Sequence, residues 1–288
     1  MNLSFSQGEF PSPLKIATVT PIFKAGDPEL PTNYRPISIL PVFTKVIEKI
    51  VCKRLNKYLH DKDILSKSQF GFRRGLSTEM PLVLTTNFIH NALDQGDHVL
   101  GIFLDLEKAF DVVSHDILLM KMEFYGIRGT PLSWFRSYLA NRKQAVRIPP
   151  IVSEYREVAC GVPQGSVLGP QLFLLFINDL CSLTSPLKFF LFADDTTLLL
   201  KGPNLNDLVT RMNNELVNLS QWFQSNKLSL NISKSQCIIF SLNPNVRNSS
   251  ISVKINETQL KQTSHTRFLG VIVDNRLSWN EHVDHHKD

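Results

Sequence analysis

The sequence predicts an α+β fold in which most of the sheet is antiparallel. Helix-like and strand-like segments are mixed along the 288 residues, without the strict strand–helix–strand alternation that accompanies a parallel sheet. Hydrophobic residues make up 43% of the chain and charged residues 20%, which is the composition of a globular protein. No internal repeat is present, and the length suits one large domain or two small ones.

The N-terminal third is predicted to contain a strand and two helices. Residues 1–13 are expected to form a loose leader, and Ile16–Phe23 has the apolar, β-rich pattern of a strand. Apolar residues with a helical period predict a helix at 44–59, and a second helix at 78–95 is expected to begin near a cap at Ser77.

One face of the first helix carries a lysine every four residues. This stripe would suit contact with a phosphate backbone, but a solvated helix face is an equally good interpretation. Its members are Lys45, Lys49, Lys53 and Lys57.

The rest of the chain mixes short helices with strands. An almost continuous apolar run at 99–104 predicts a buried strand. The other predicted elements are helices at 115–125, 131–140, 169–180 and 206–225, a hairpin at 144–148 and 156–159, a hairpin that turns at 193–195, and strands at 237–241, 251–255 and 268–273.

Charge, cysteine usage and hydropathy narrow the class of protein. The net charge of +5 and a pI of about 9.0 suit a polyanionic partner, although many ordinary proteins are equally basic. Four widely spaced cysteines without a C-x-x-C pair predict reduced thiols and no zinc site. No signal peptide and no apolar stretch of membrane-spanning length is found, so we expect an intracellular protein of the cytoplasm or nucleus without membrane contact.

The adjacent carboxylates Asp194 and Asp195 are the most informative feature of the sequence. They are predicted to lie at the tip of a hairpin between apolar strands, where two like charges repel each other. Asp105, directly after the predicted strand at 99–104, supplies a third acid. Hard oxygen ligands suit Mg²⁺, and enzymes that use two metals for phosphoryl transfer need such a cluster. A solvated polar turn is the alternative for the acid pair.

Seven segments follow one another in a fixed order: residues 34–38, 69–78, 105–111, 161–170, 192–195, 230–235 and 268–271. Together they resemble the motifs of reverse transcriptases from non-LTR retrotransposons of the LINE, jockey-like kind. The first two segments are similar to finger motifs of that family, and the other five are similar to polymerase motifs A to E.

The resemblance implies a right-hand polymerase fold. Fingers would occupy 14–96, and a palm with motifs A to E, with helical or fingers-type insertions, would occupy 97–274. Residues 275–288 would be the truncated start of a thumb that is largely missing. The chain would then be the core of a longer retrotransposon polyprotein.

The activity that the resemblance implies is RNA-directed DNA synthesis. Deoxynucleoside triphosphates would be added to the 3′-hydroxyl of a DNA primer on an RNA template, with two Mg²⁺ ions as cofactors and Mn²⁺ as a substitute. Two alternatives remain open: another reverse transcriptase such as the group II intron type, and a degenerate or truncated remnant that only binds nucleic acid.

The resemblance also assigns residues around the acids. Asp105 and Asp194 would bridge the metals, and Asp195 would be the more peripheral acid of the catalytic set. The backbone carbonyl of Leu106 would be a further metal ligand.

Phe110, Gln164 and Gly165 are implied to contact the incoming nucleotide. The bulky ring of Phe110 would exclude a ribose 2′-hydroxyl, although by itself it would be interpreted as a core residue. Gln164 and Gly165 lie in a Gly/Pro-rich stretch that would approach nucleotide and template, or that could be a structural loop.

Two cationic side chains are implied to act on the phosphates. Arg73 would bind the triphosphate, since a guanidinium suits bidentate phosphate contact, and the adjacent Arg74 could exchange roles with it. An exposed basic loop is the alternative. Lys234 would lie near the leaving pyrophosphate as a proton donor.

Overall fold

The computed structural model describes residues 1–183 and 186–285. The α-helices of this part of the chain are α1 (Asn2–Gln7), α2 (Val42–Asp61), α3 (Glu79–Asp94), α4 (His115–Phe124), α5 (Gly129–Leu139), α6 (Gly169–Ile177), α7 (Leu205–Ser225), α8 (Pro244–Arg247) and α9 (Asn280–His285). The β-strands are β1 (Ile16–Phe23), β2 (Tyr34–Ile39), β3 (His98–Leu104), β4 (Arg142–Ile148), β5 (Ile151–Val152), β6 (Arg156–Val158), β7 (Lys188–Phe192), β8 (Asp195–Gly202), β9 (Gln236–Phe240), β10 (Lys254–Ile255), β11 (Thr258–Gln259), β12 (Lys261–Gln262), β13 (His265–Phe268) and β14 (Val271–Asp274).

The chain folds into two compact units, and each unit combines two separate stretches of sequence. The first unit consists of Met1–Leu65 and Lys108–Ile177. The second consists of Ser66–Glu107 and Asn178–Asp288. Contacts within each unit therefore join residues that are far apart in the sequence.

The first unit is built on a sheet with the strand order β2-β1-β4-β5, and β6 pairs with β4. β1 is antiparallel to β2 and parallel to β4, so the sheet of this unit is mixed. Helix α5 packs against both α1 and α4, and α4 packs against α6. The hairpin predicted from 144–148 and 156–159 is present as the antiparallel pair β4 and β6.

The N-terminal segment differs from the loose leader expected at 1–13. It forms α1, and the buried Phe10 lies edge-on against Trp134 and Tyr138 of α5, with ring centroids 5.4 and 5.1 Å away. The indole nitrogen of Trp134 donates a hydrogen bond of 3.1 Å to the Ser4 hydroxyl. Aromatic burial of this kind orders a short segment whose own sequence has little helical signal.

The second unit contains a sheet with the strand order β12-β9-β3-β8-β7. β3 lies at its centre, antiparallel to both β8 and β9, and every residue of the strand after His98 is buried. This burial explains the continuous apolar run in the sequence. Helix α7 packs on β3 and β8, and the Asn204 side chain caps its N-terminus by accepting from the N–H groups of Asn206 and Asp207.

The segment predicted as one strand at 268–273 is instead two strands. β13 and β14 form an antiparallel hairpin that turns at Leu269 and Gly270, whose φ angles are 49° and 90°. Glycine adopts a positive φ readily, so the chain can turn at Gly270 and end the first strand. The apolar pattern of the sequence continues through this turn and gave no sign of it. The predicted strand at 251–255 is shortened to β10, at Lys254–Ile255.

Two further expectations can be compared with the structure. All four cysteines are free thiols in the structure. Of the helices in the described residues, none has the length and apolar character needed to cross a bilayer.

The core of the second unit generates a stability prediction. Phe240 of β9 is fully buried and packs with Val99, Phe103 and Leu199. Phe240→Ala should lower the free energy of unfolding by about 3–5 kcal/mol because it leaves a cavity in close-packed surroundings. Denaturant unfolding of parent and variant would measure this loss of stability. The control is Leu242→Ala, two residues further on, where the side chain is 69% exposed and the change should be within about 0.5 kcal/mol. Equal effects of the two substitutions would contradict the core assignment.

Candidate active site

The register of the central strands brings three acids to one end of the sheet of the second unit. β3 and β8 are antiparallel, with Leu104 opposite Thr196. Pairing ends there, so Asp105, which follows Leu104, and Asp195, which precedes Thr196, come at the same end of the two strands. Asp194 lies in the turn that joins β7 to β8, where Phe192 pairs with Asp195. The prediction that Asp105 follows a buried strand is therefore correct. Of the two acids predicted at the tip of the hairpin, Asp194 lies in the turn, whereas Asp195 is the first paired residue of β8.

The turn that carries the acid pair has an unfavourable backbone. Only two residues, Ala193 and Asp194, separate the paired Phe192 and Asp195. Ala193 has a φ of 57°, in the left-handed region that a side chain disfavours. A positive φ at the first central residue is a property of the type II′ turn, whose twist suits a β-hairpin. The tight turn thus fixes where the carboxyl groups lie, at some cost in backbone energy.

The electrostatics of the site show that negative charge accumulates there. The pKa of Asp195 is raised to about 6, first because surrounding protein displaces water from the carboxyl and then because Asp194 and Asp105 repel its charge. The side chain is exposed on one side. The two facts are compatible, since an accessible group can still lose much of its hydration to protein crowded around it. Asp194 and Asp105 are therefore close enough to Asp195 for their charges to disfavour its ionised form.

The chemistry of the three carboxylates suits a divalent cation. Carboxylate oxygens are the ligands that Mg²⁺ prefers, and a cation would relieve the repulsion that raises the pKa of Asp195. Within residues 1–183 and 186–285, no group of three or more His, Cys, Asp or Glu side chains is placed so that it could hold a metal ion. Metal binding by the three acids stays a prediction. From the sequence alone, His282, His285 and His286 near the C-terminus could form a metal site, although a frayed polar end is the better interpretation. His282 and His285 lie in α9, and His286 lies outside the described residues.

A loop after α7 supports the end of β3. The backbone N–H of Asp105 donates to the Ser235 hydroxyl (3.1 Å), and its carbonyl accepts from the N–H of Asn231 (2.8 Å). Leu106 and Leu230 face each other across an isolated antiparallel bridge. The hydrogen bonds of this bridge are made by the residues on either side of them, so they do not use the Leu106 carbonyl. The exposed Lys234 lies on this loop and is therefore carried to the same end of the sheet as Asp105.

A second loop, at residues 68–71, supports the acid pair from the other edge. The N–H of Phe70 donates to the carbonyl of Leu191, and the N–H of Leu191 donates to the carbonyl of Ser68, both at 2.8 Å. The loop therefore continues the sheet beside β7. Sequence reasoning assigned this segment to a finger motif and missed the role of its buried Gln69, for which no local pattern gives a signal.

Arg73 has a structural contact that the sequence did not predict. Its Nη1 donates to the backbone carbonyls of Ser66 (2.8 Å) and Gln69 (3.0 Å) and so ties together the loop that precedes it. The side chain is partly exposed, and the adjacent Arg74 is exposed. The triphosphate contact assigned to Arg73 stays a prediction.

In the first unit, Phe110 lies half-buried against another ring. Its centroid is 4.6 Å from that of Phe173 in α6, and the two planes are nearly parallel, 23° apart. The carbonyl of Phe110 accepts from the N–H of Val162 (2.8 Å). Stacking explains why Phe110 has the features of a core residue, and it also holds the ring in one orientation.

Gln164 and Asp111 form a polar pair in the same unit. The side-chain nitrogen of Gln164 donates to Oδ1 of Asp111 (2.9 Å). Burial raises the pKa of Asp111, and this hydrogen bond opposes the increase. Both residues line a cavity of about 140 Å³ together with Ser38, Arg142 and Lys143.

The loop that contains Gln164 is fixed by backbone contacts. The N–H of Ser38 donates to the carbonyl of Gln164 (2.7 Å). Gly165 has a φ of 106°, and a Cβ there would lie 2.9 Å from the carbonyl oxygen of Ser38. The close approach and the positive φ together require glycine at this position.

A fully buried glutamate also holds this loop. Glu48 of α2 accepts from the Tyr138 hydroxyl (2.6 Å) and from the N–H of Val167 (2.7 Å). Burial raises the pKa of Glu48, and these two hydrogen bonds oppose it. The helical period at 44–59 predicted α2 but gave no indication that its glutamate points inward.

Comparison with known families agrees with this arrangement. A family model described as reverse transcriptase (RNA-dependent DNA polymerase) matches residues 22–273. The chain belongs to this family. Reverse transcriptases as a family use divalent metal ions, in keeping with the acids at the end of β3 and β8.

Similar curated relatives come from transposable elements of Drosophila melanogaster. The chain is 34% identical over 282 residues to a probable RNA-directed DNA polymerase from transposon X-element, covering 95% of this chain and 30% of that protein. It is 30% identical over 292 residues to the RNA-directed DNA polymerase from mobile element jockey, covering 96% and 31%. The chain thus spans about 30% of the length of these relatives. The predicted likeness to a jockey-like, non-LTR reverse transcriptase is confirmed.

A solved structure with a similar fold is the apo telomerase from Candida tropicalis, truncated from its C-terminal domain. The match has a TM-score of 0.60 with 11% identity, and it covers 92% of this chain and 54% of that one. At this identity the likeness concerns the fold alone. The α+β, right-hand polymerase fold predicted for this reverse transcriptase domain is confirmed.

The pKa of Asp195 predicts how stability depends on pH without divalent cations. Because its folded-state pKa of about 6 exceeds the ordinary 3.8, the stability that its protonated form contributes is present below about pH 3.8 and is lost as pH rises through about 6. Asp195→Asn should therefore be more stable than the parent near pH 7.5, by about 1 kcal/mol after allowance for solvent screening.

Denaturant unfolding in EDTA, near pH 7.5 and near pH 4, would measure this difference. The gain should shrink towards the lower pH, where the parent carboxyl is protonated. Glu257→Gln, at an exposed acid in the turn between β10 and β11, serves as control and should show no such trend. A parent that is as stable as Asp195→Asn near pH 7.5 would contradict the charge repulsion.

Proposed function

We propose that this chain is an RNA-directed DNA polymerase domain that adds deoxynucleotides to the 3′-hydroxyl of a DNA primer on an RNA template. One observation carries the proposal: Asp105, Asp194 and Asp195 meet at one end of a sheet, where their charges repel one another. Phosphoryl transfer by two metal ions needs such a cluster of acids. Membership of the reverse transcriptase family supports the same conclusion.

Asp105, Asp194, Asp195 and the carbonyl of Leu106 would hold two Mg²⁺ ions, with Mn²⁺ as a substitute. When bound, such ions activate the primer 3′-hydroxyl and neutralise charge on the triphosphate. The strand end and the tight turn keep the acids in place before substrate arrives, which avoids reorganisation during the reaction. Asp195 is proposed as the more peripheral acid.

The reaction would join the primer 3′-oxygen to the α-phosphorus and break the bond between the α-phosphate and the leaving pyrophosphate. Arg73 would contact the triphosphate through the part of its guanidinium that does not hold the Ser66 and Gln69 carbonyls. Lys234 would donate a proton to the pyrophosphate, and its place on the loop beside Asp105 supports this role.

Phe110, Gln164 and Gly165 would recognise the incoming nucleotide. Stacking on Phe173 keeps the Phe110 ring stiff, which exclusion of a 2′-hydroxyl requires. The bond to Asp111 orients the Gln164 amide, and the glycine lets the backbone approach a ligand closely. The family resemblance supports these three assignments.

Primer extension with purified protein tests the proposal. Asp194→Asn should lower the extension rate on an RNA template by about a thousandfold or more, because a metal ligand in this reaction is worth several kcal/mol. Glu107→Gln is a matched control, since it removes one exposed negative charge close to Asp105 in the sequence. A parent that binds primer–template but never extends it would favour the non-catalytic remnant, and equal rates for Asp194→Asn and parent would refute the site.

The choice of sugar provides a separate test. Phe110→Val should reduce discrimination against ribonucleotides by about tenfold to a hundredfold, because a smaller side chain leaves room for the 2′-hydroxyl. Competition between deoxyribonucleotides and ribonucleotides in single-nucleotide extension would measure it. Phe124→Val, at a ring in α4 that is 82% exposed, should leave selectivity unchanged. If Phe110→Val still rejects ribonucleotides as the parent does, Phe110 is a core residue only.

A further inference from the structure

We propose that Gln69 is a positioning residue that holds the Ala193–Asp194 turn, and with it the carboxyl of Asp194, ready to bind a divalent cation. This inference rests on the proposed polymerase function and deepens it. Gln69 does not itself touch the reacting atoms. It would act through the backbone of the turn.

The amide oxygen of Gln69 joins the 68–71 loop to the turn. Oε1 accepts from the backbone N–H of Gly71 (2.8 Å) and from the backbone N–H of Ala193 (3.0 Å). The side chain is 1% exposed, so water does not compete for these bonds. A buried N–H that loses its acceptor is left without a hydrogen bond and without water, which is unfavourable.

The nitrogen of the same amide indicates which atom of Gln69 the structure requires. Nε2 of Gln69 is buried without a hydrogen-bond partner among the described residues. If the amide group were flipped by 180°, its NH₂ would face the N–H donors of Gly71 and Ala193. The observed orientation therefore directs the carbonyl oxygen at both donors and leaves the nitrogen unpaired. An apolar residue would suit a purely structural core position better. The arrangement points to a need for an oxygen at this place.

The turn needs such support because its backbone is strained. Ala193 has a φ of 57°, in the left-handed region where its Cβ approaches the neighbouring carbonyl oxygen. The loop also crowds the turn directly, since a Cβ on Gly71 would lie 2.3 Å from the backbone nitrogen of Ala193. Strained turns of this kind persist only where surrounding contacts determine them.

The consequence concerns Asp194 directly. The peptide held by Gln69 joins Phe192 to Ala193, and only the φ and ψ angles of Ala193 separate it from the peptide of Asp194. A change in these dihedrals would therefore swing the whole of Asp194. Some groups do not touch a metal but orient the residues that bind it. Their removal typically changes metal affinity or activity by about 10–100-fold. Loss of the Gln69 oxygen should therefore weaken cation binding while the fold remains.

Two substitutions at Gln69 separate the oxygen from the shape of the side chain. Gln69→Met keeps the length and removes the acceptor, whereas Gln69→Glu keeps an acceptor oxygen. Thr85→Val is the matched control, because Thr85 of α3 is also buried in the second unit with a hydroxyl that has no partner among the described residues. All variants use the full 288-residue chain.

The first readout is amide hydrogen exchange at Ala193, measured by NMR. The second is the Mg²⁺ affinity from titration of the Asp194 and Asp195 amide resonances, and the third is the Mg²⁺ concentration for half-maximal primer extension. For Gln69→Met we expect faster exchange at Ala193 and a Mg²⁺ requirement raised by about 10–100-fold. Thr85→Val should match the parent in all three, and Gln69→Glu should keep the slow exchange.

Unchanged exchange or unchanged Mg²⁺ affinity in Gln69→Met would overturn the inference, and so would fast exchange in Gln69→Glu. If Gln69→Met does not fold, Gly71→Ala replaces it, because its Cβ would press on the Ala193 amide. A weakened Mg²⁺ affinity there supports the inference, and a parental value overturns it. A parent that binds Mg²⁺ but does not extend primers would reject the proposed function alone, since the exchange and titration readouts judge Gln69 without activity.

Discussion

The repulsion among three carboxylates at one end of β3 and β8 is the constraint on which the rest of the site depends. Antiparallel pairing of these strands brings Asp105 and Asp195 to the same end, and the two-residue turn from β7 adds Asp194. The arrangement is unfavourable for Asp195 in its charged form, because burial and then the charges of Asp194 and Asp105 raise its pKa. The surrounding structure must therefore hold the acids in place against their own repulsion.

That support comes from side chains that bond to backbone. Ser235 accepts from the N–H of Asp105, and Gln69 accepts from the N–H of Ala193. In the first unit, Glu48 accepts from the N–H of Val167 in the loop that carries Gln164. In each case a buried or nearly buried oxygen fixes a loop by one peptide group. Because such bonds are directional and shielded from water, they determine position better than apolar packing alone.

The sequence predicted what depends on period and on chemistry. The apolar face of α7 and the buried strand β3 followed from spacing, and Asp105, Asp194 and Asp195 followed from the rarity of uncompensated acids beside apolar strands. Phe10 shows where this reasoning stops, since its burial depends on rings more than a hundred residues away in the chain. Leu269 and Gly270 show a second limit of sequence reasoning, because they form a hairpin turn within an apolar run that has the pattern of a single strand.

Gln69 and Glu48 were missed for a common physical reason. A polar residue that serves as an acceptor for a distant peptide N–H leaves no periodic trace, since its partner can lie anywhere in the chain. Gln69 is 124 positions from Ala193, and Glu48 is 119 positions from Val167. The acids can be recognised from their own chemistry, whereas residues that hold a loop by its backbone are defined only by their contacts. A substitution that leaves every acid in place can therefore still disable the site.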